Sequence, residues 1–201
     1  MIGKDLTKTC VPVQFNEPIS MLQKFAESME YEDLLVRANN EEDPYVRCML
    51  VAAFGVSRFS STNNRLDKPF NPLLGETFEL VDLRGKYRCI SEQVSHHPPI
   101  SALYAESADY EVWMNSNMKS KLSFKNLEVN VLAYCHVVLK RWNEHYVSKR
   151  PRSLVQNILA GKMYMEHVGT MDTTNLTTGS TVAIEFYSKK ESLSGDHFIK
   201  G

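Results

Sequence analysis

Two short segments of this 201-residue chain carry most of its potential chemistry. The first is Glu92-Gln93-Val94-Ser95-His96-His97-Pro98-Pro99, a histidine pair locked by two prolines. Imidazoles titrate near pH 6.5 and donate hydrogen bonds, so the pair suits an anion such as phosphate, held more tightly as acid adds a proton. In extended chain, adjacent residues point to opposite faces, so His96 and His97 chelate one metal only where the strand bends. Zinc would also need a third ligand from Glu92, His136, His145 or Glu166-His167, and none stands at the helical histidine spacing of common hydrolase motifs. One core histidine and one surface histidine beside a turn is the reading without function.

The second segment is Lys68-Pro69-Phe70-Asn71-Pro72-Leu73-Leu74-Gly75-Glu76-Thr77. Its prolines fix φ and push the residue before each into extended backbone, so the loop is stiff before any ligand arrives. A stiff loop can present Lys68 and Asn71 as a pre-set charge and amide donor for an anionic head group. It reads equally as a proline-rich connection between helix and sheet. The sequence has no Gly-x-Ser-x-Gly elbow, no glycine-rich phosphate loop and no cysteine in a nucleophile signature, so catalysis has no support.

The elements that must position these segments follow from composition and period. With 43% hydrophobic and 23% charged residues, the chain can bury one ordinary core, which implies a single domain over 1–201. Its helical part should run to about residue 66 and its β part over about 67–201. A formal charge of −1 leaves no basic field to gather nucleic acid. Met1 to Gln14 lacks the apolar stretch of a secretory signal, which points to the cytosol. Cys10, Cys48, Cys89 and Cys135 are scattered, as free thiols are. The longest apolar stretch, Cys48 to Val56, is far short of the ~20 residues that cross a bilayer, so membrane contact must be peripheral. Basic clusters at Lys119/Lys121/Lys125, Lys140-Arg141 and Lys149-Arg150/Arg152 could meet an anionic leaflet, the last being the first to test, although any single cluster also reads as solvated loop charge.

Leu22, Phe25, Ala26 and Met29 recur at helical spacing, with Asn16 as a cap ahead of them. A second helix starts at Asp43-Pro44, buries Val46, Met49, Leu50, Ala53 and Phe54, and ends near Ser60 to Asn64. Beyond Gly75 the period changes. Phe78 to Leu80 and Tyr87 to Val94 read as a hairpin around the turn Asp82 to Lys86. Strands follow at Tyr110–Met114, Leu127–Ala133, Cys135–Leu139, Tyr164–Val168 and Thr181–Tyr187, the pattern of an antiparallel meander, sandwich or barrel. Ser153 to Ala160 fits a short helix better than a strand.

Glu92 to Pro99 and Lys68 to Leu80 together resemble the fingerprints of the oxysterol-binding-protein-related family. Gly3-Lys4-Asp5-Leu6, Pro12 to Leu22, Leu50 to Phe54, Gln156-Asn157-Ile158, Gly161-Lys162 and Glu166-His167 resemble the same family in the same order. The resemblance implies an α+β, mainly β fold: N-terminal helices followed by a curved antiparallel sheet that forms part of a near-closed lipid-binding β-barrel. It implies non-enzymatic exchange of phosphatidylinositol 4-phosphate for a sterol or phosphatidylserine between organelle membranes, on whose cytoplasmic surface the protein would sit peripherally. Lys68, Asn71, His96 and His97 match the family's head-group binders, and no metal or cofactor is implied. A metal- or histidine-dependent phosphoester hydrolase and a membrane adaptor without cargo are the rival readings.

Departures from the family pattern are Phe124-Lys125-Asn126-Leu127, where an aromatic-Gly-Lys-Ser run is usual, and Gln156 in place of a histidine. The family domain continues beyond Gly201 with a Lys, Glu and Arg group that helps to hold the phosphoinositide, and its lid precedes Gly3. The chain therefore reads as part of that domain. Thr181 to Tyr187 would then be a strand with a bare outer edge, from which self-association is expected.

Overall fold

The computed structural model describes residues 13, 16–62, 65–123, 126–158, 161–191 and 198–200. Cys10, the Gly3 to Leu6 stretch, Asn63-Asn64 and Phe124-Lys125 lie outside them. Strand β1 (Asn16–Ser20) leads into helix α1 (Met21–Ala26), and a 3-10 turn over Glu27–Met29 precedes α2 (Asp33–Asn40) and α3 (Pro44–Ser57). Ser20, not Asn16, caps α1: its hydroxyl accepts from the Gln23 amide while the Gln23 side chain accepts from the Ser20 amide. Asn16 instead opens β1, which runs parallel to β2 (Lys68–Phe70) with Asn16 opposite Lys68 and Ser20 opposite Phe70.

Helix α3 begins as its sequence dictates, with Asp43 accepting from the Tyr45 and Val46 amides and Pro44 in the first turn. Its buried face is rotated from the expected stripe. Arg47, Cys48, Val51, Ala52, Phe54 and Gly55 are buried, whereas Met49 is 52% exposed. The helix is apolar nearly all round, so apolarity alone did not single out a face, and the face was chosen by Arg47. Its guanidinium grips buried Glu144 bidentately at 3.0 and 2.8 Å, donates to the carbonyls of Glu41 and Glu42, and lies 4.0 Å from the centre of the Trp142 ring.

The rest is one large sheet built from β3 (Thr77–Val81), β4 (Tyr87–His96), β5 (Pro99–Ser107), β6 (Tyr110–Asn115), β7 (Met118–Leu122), β8 (Asn126–Val131), β9 (Tyr134–Leu139), β10 (Glu144–Lys149), β11 (Arg152–Gln156), β12 (Tyr164–Asn175), β13 (Thr181–Tyr187) and β14 (Phe198–Lys200). All its ladders are antiparallel, in the order β3-β4-β5-β6-β9-β10-β12-β11-β8-β7, with β13 and β14 added on β12. Among the described residues β3 and β7 do not pair with each other, so the sheet is open. Ser153 to Gln156 is strand, not helix, because it completes ladders with β8 on one side and β12 on the other. The outer edge of β13 is covered at Glu185 to Tyr187 by β14.

Strand β12 changes partners along its length. Its first residues, Tyr164 to Val168, pair with β11, and its last, Tyr146's partner Asn175 included, with β10. Gly169, at φ +96°, stands at the changeover and begins the ladder with β13.

The core lies between the helices and one sheet face. Phe25, Met29, Leu35, Val51 and Phe54 pack with Leu103, Tyr110, Val112, Val137, Leu139 and Tyr146. A smaller cluster joins Ala52 and Phe59 to Met171, Ile184 and Phe186. Gly55 fits there because any Cβ would meet the Met171 side chain at 3.1 Å.

Candidate functional site

The histidine segment is the hairpin joining β4 to β5. Gln93 pairs with Ser101 but Ser95 pairs with Ile100, so Val94 is an extra residue, a bulge that bends the strand end. His96 pairs with Pro99, and the chain turns through His97 and a cis Pro98. The bend cancels the alternation expected for an extended strand: the two rings lie edge to face with centroids 4.9 Å apart. His97 is exposed, while half-buried His96 holds its Nδ1 buried without a partner.

Gln93 brings the proline segment to this hairpin. It is 1% exposed, and a buried amide must find partners. Its Nε2 donates to the Asn71 Oδ1 at 3.4 Å, its Oε1 accepts from the Ser101 hydroxyl at 2.6 Å, its backbone amide donates to Glu76 and its carbonyl accepts from Gly75. Sequence reasoning passed over Gln93 because its role lies between segments; the signal was a glutamine on the same strand face as Ser91. Asn71 itself is exposed, above a buried Pro72.

Lys68 stands half-buried at the start of β2. Arg65, three residues before it, donates to Glu27 at 2.7 Å and to Glu17 at 2.7 Å, and Lys24 reaches the other Glu17 oxygen at 2.7 Å. Burial pushes the Glu17 carboxyl up, but hydrogen bonds and charge from Lys24 and Arg65 outweigh it and hold it below the usual glutamate range. This cluster fixes where β2 starts and hence where Lys68 sits. Of the four candidate donors for an anion-binding rim, Asn71 is tied through Gln93 to the strand that leads into His96 and His97, while Lys68 stands on β2, three residues before Asn71.

The other candidate ligands are engaged elsewhere. His136 Nδ1 and His145 Nε2 share a proton position at 3.1 Å, with His136 stacked on Trp113, and burial with the neighbouring His145 lowers the His136 pKa. His167 contacts the hydroxyls of Thr62 and Ser153, each at 2.9 Å, and Glu166 accepts from Gln156. Among the described residues no three His, Cys, Asp or Glu side chains gather as metal ligands. In the basic cluster around Pro151, Lys149 and Arg152 are exposed and Arg150 is half-buried. Arg150 turns over the Phe59 ring and Arg152 lies 3.6 Å from Glu128.

The oxysterol-binding protein family profile matches residues 1–201. This chain belongs to that family. It is similar to human oxysterol-binding protein-related protein 6, 44% identical over 91% of the chain and 20% of that protein. It is also similar to oxysterol-binding protein homolog 1 of Saccharomyces cerevisiae, 39% identical over 100% of the chain and 17% of that protein. Among solved structures, the Osh1 ORD domain in complex with ergosterol superposes with a TM-score of 0.88 at 41% identity, over 94% of this chain and 46% of that one. The Osh3 ORD of S. cerevisiae in complex with PI(4)P superposes with 0.85 at 36% identity, over 92% and 50%. The chain thus spans about half of the solved domains and a fifth or less of those curated relatives. Membership in an oxysterol-binding family makes binding, not catalysis, the chemistry for which the rim must be read. No helix of the described residues is long and apolar enough to cross a membrane.

Proposed function

We propose that this chain is the part of a lipid-transfer domain that selects a phosphorylated head group, binding phosphatidylinositol 4-phosphate and exchanging it for a sterol or phosphatidylserine at the cytoplasmic surface of organelle membranes. The observation that carries this reading is the Gln93 bridge, which joins the Asn71 loop to the His96-His97 hairpin. Lys68, Asn71, His96 and His97 bind the phosphate, and the curved sheet, as part of a near-closed barrel, encloses the apolar part. Relatives in complex with ergosterol and with PI(4)P support both cargo classes. Native mass spectrometry after incubation with vesicles containing both lipids should find one lipid per chain; recovery of bare protein alone would refute the proposal. The same spectra read self-association, proposed through the part of the β13 edge at Thr181 to Ile184 beyond the β14 ladder: a dimer is expected and a monomer refutes it.

Membrane docking is proposed beside the same rim. Leu73 is 72% exposed and Leu74 67% exposed, two and three residues past Asn71, and Phe70 and Val94 are also exposed. Exposed leucines on a stiff loop enter the acyl boundary of a bilayer, each worth about 1.5–3 kcal/mol when fully buried. Leu73→Asp with Leu74→Asp should cut co-sedimentation with anionic vesicles by at least about tenfold without moving the urea midpoint. Unchanged co-sedimentation would show that another face docks.

A further inference from the structure

Arg58 follows α3 and folds inward. It is 8% exposed; its Nη2 donates to the thioether of Met114 at 3.0 Å, a weak acceptor, and its Nε is buried with no acceptor at all. Arg150, just past β10, is half-buried with its guanidinium 4.7 Å from the centre of the Phe59 ring. The two arginines share one surface of the sheet. Met114 pairs with Cys135, Cys135 pairs with Ser148, and Arg150 follows Ser148 by two residues, the spacing that keeps a side chain on the same face. Among the described residues no carboxylate lies within ion-pair distance of either guanidinium. Arg47, equally buried, shows what is missing, since Glu144 neutralises it bidentately.

Burial, with the Arg58 charge beside it, presses the Arg150 pKa down to about 9, the direction expected of a partly buried cation that lacks a counter-charge. A buried unpaired charge is costly, and paired guanidiniums match the oxygens of a carboxylate or a phosphate. Around them stand apolar side chains, Met114, Phe59 and Phe186, with Phe59 and Phe186 in edge contact at 5.4 Å.

We infer that Arg58 and Arg150 form a second oxyanion-binding site on the inner face of the sheet, separate from the rim of Lys68, Asn71, His96 and His97, and that it takes the carboxylate or phosphate of a ligand entering among Met114, Phe59 and Phe186. The inference rests on the lipid-binding reading only where the ligand carries an acyl tail, and its test is run in a rim-deficient background so that the two readings fail separately.

The test follows thermal unfolding of His96→Ala/His97→Ala protein, alone and with Arg58→Met or Arg150→Gln. The probes are laurate and lauryl phosphate below their micelle-forming concentrations, dodecanol as the tail without charge, and inorganic phosphate as the charge without a tail. The charged amphiphiles should raise the midpoint in the rim-deficient protein, and each arginine replacement should weaken the apparent affinity at least about tenfold. A response to inorganic phosphate as well assigns the source to a free ion; a response to the tailed oxyanions alone assigns it to an amphiphile. Without any probe, Arg58→Met should melt above its parent, because it removes an unpaired buried charge; Arg150→Gln, at the less buried position, carries the binding comparison if Arg58→Met does not fold. Dodecanol acting as strongly as laurate, or arginine variants responding like their parent, overturns the site.

Discussion

Extraction of phosphatidylinositol 4-phosphate from vesicles should fall by about a hundredfold or more at neutral pH in the His96→Ala, His97→Ala double variant, while the urea midpoint stays near that of the parent. Hydrogen bonds to a charged group contribute about 1.5–3 kcal/mol each, and 1.4 kcal/mol is tenfold in affinity, so losing two gives at least that factor. The fold should tolerate the change. His97 is exposed, and truncating half-buried His96 also removes a buried Nδ1 that has no partner in the protein. Sterol binding, which involves no phosphate, should persist and serves as the control for an intact interior. Extraction within threefold or so of the parent would remove these histidines from the head-group site.

The second large effect concerns stability. Arg47→Met or Glu144→Gln should each cost about 3–5 kcal/mol in urea unfolding, because either leaves half of a buried pair unmatched. A domain stable by about 5–15 kcal/mol would lose a large share of its margin. The pair is well supported: Tyr146 donates to Glu144, Trp142 covers the guanidinium, and two backbone carbonyls accept from Nη1. Burial raises the Glu144 pKa, yet hydrogen bonds from Arg47 and Tyr146 outweigh it and hold the carboxyl below its ordinary value of 4.5. A lowered folded-state pKa gives a contribution that is complete above the ordinary value and is lost as pH falls through the lowered one. The parent should therefore lose stability in that acid range more steeply than Glu144→Gln. Single replacements costing under about 1 kcal/mol would show the pair to be dispensable.

How much of this was legible depends on the distance over which each feature is decided. Capping of α3 by Asp43 and the buried stripe Leu22, Phe25, Ala26 and Met29 are local matters, and both stand as expected. Ser153 to Gln156 was misread because Leu154, Val155, Ile158 and Leu159 imitate a helical period, while its strand state depends on β8 and β12, neither visible from the segment itself. The face of α3 depends on Glu144, ninety-seven residues away from Arg47. At the rim, residue types and proline spacing pointed to Lys68, Asn71, His96 and His97. The contact that unites two of the segments, and the bulge that brings the histidine rings together, arise only from strand pairing.

The changeover at Gly169 also bears on how the sheet opens. Strands β7, β8 and β11 pair in series, and among the described residues they join the rest of the sheet through a single ladder, from Arg152 opposite Val168 to Gln156 opposite Tyr164. Detaching that flap sacrifices far less backbone pairing than global denaturation, so its amides should form a separate exchange unit, released to deuterium earlier than those of β4, β5 and β6. In the lipid carrier proposed above, a wall seamed by one short ladder would give the filling and emptying of its interior a rate of their own.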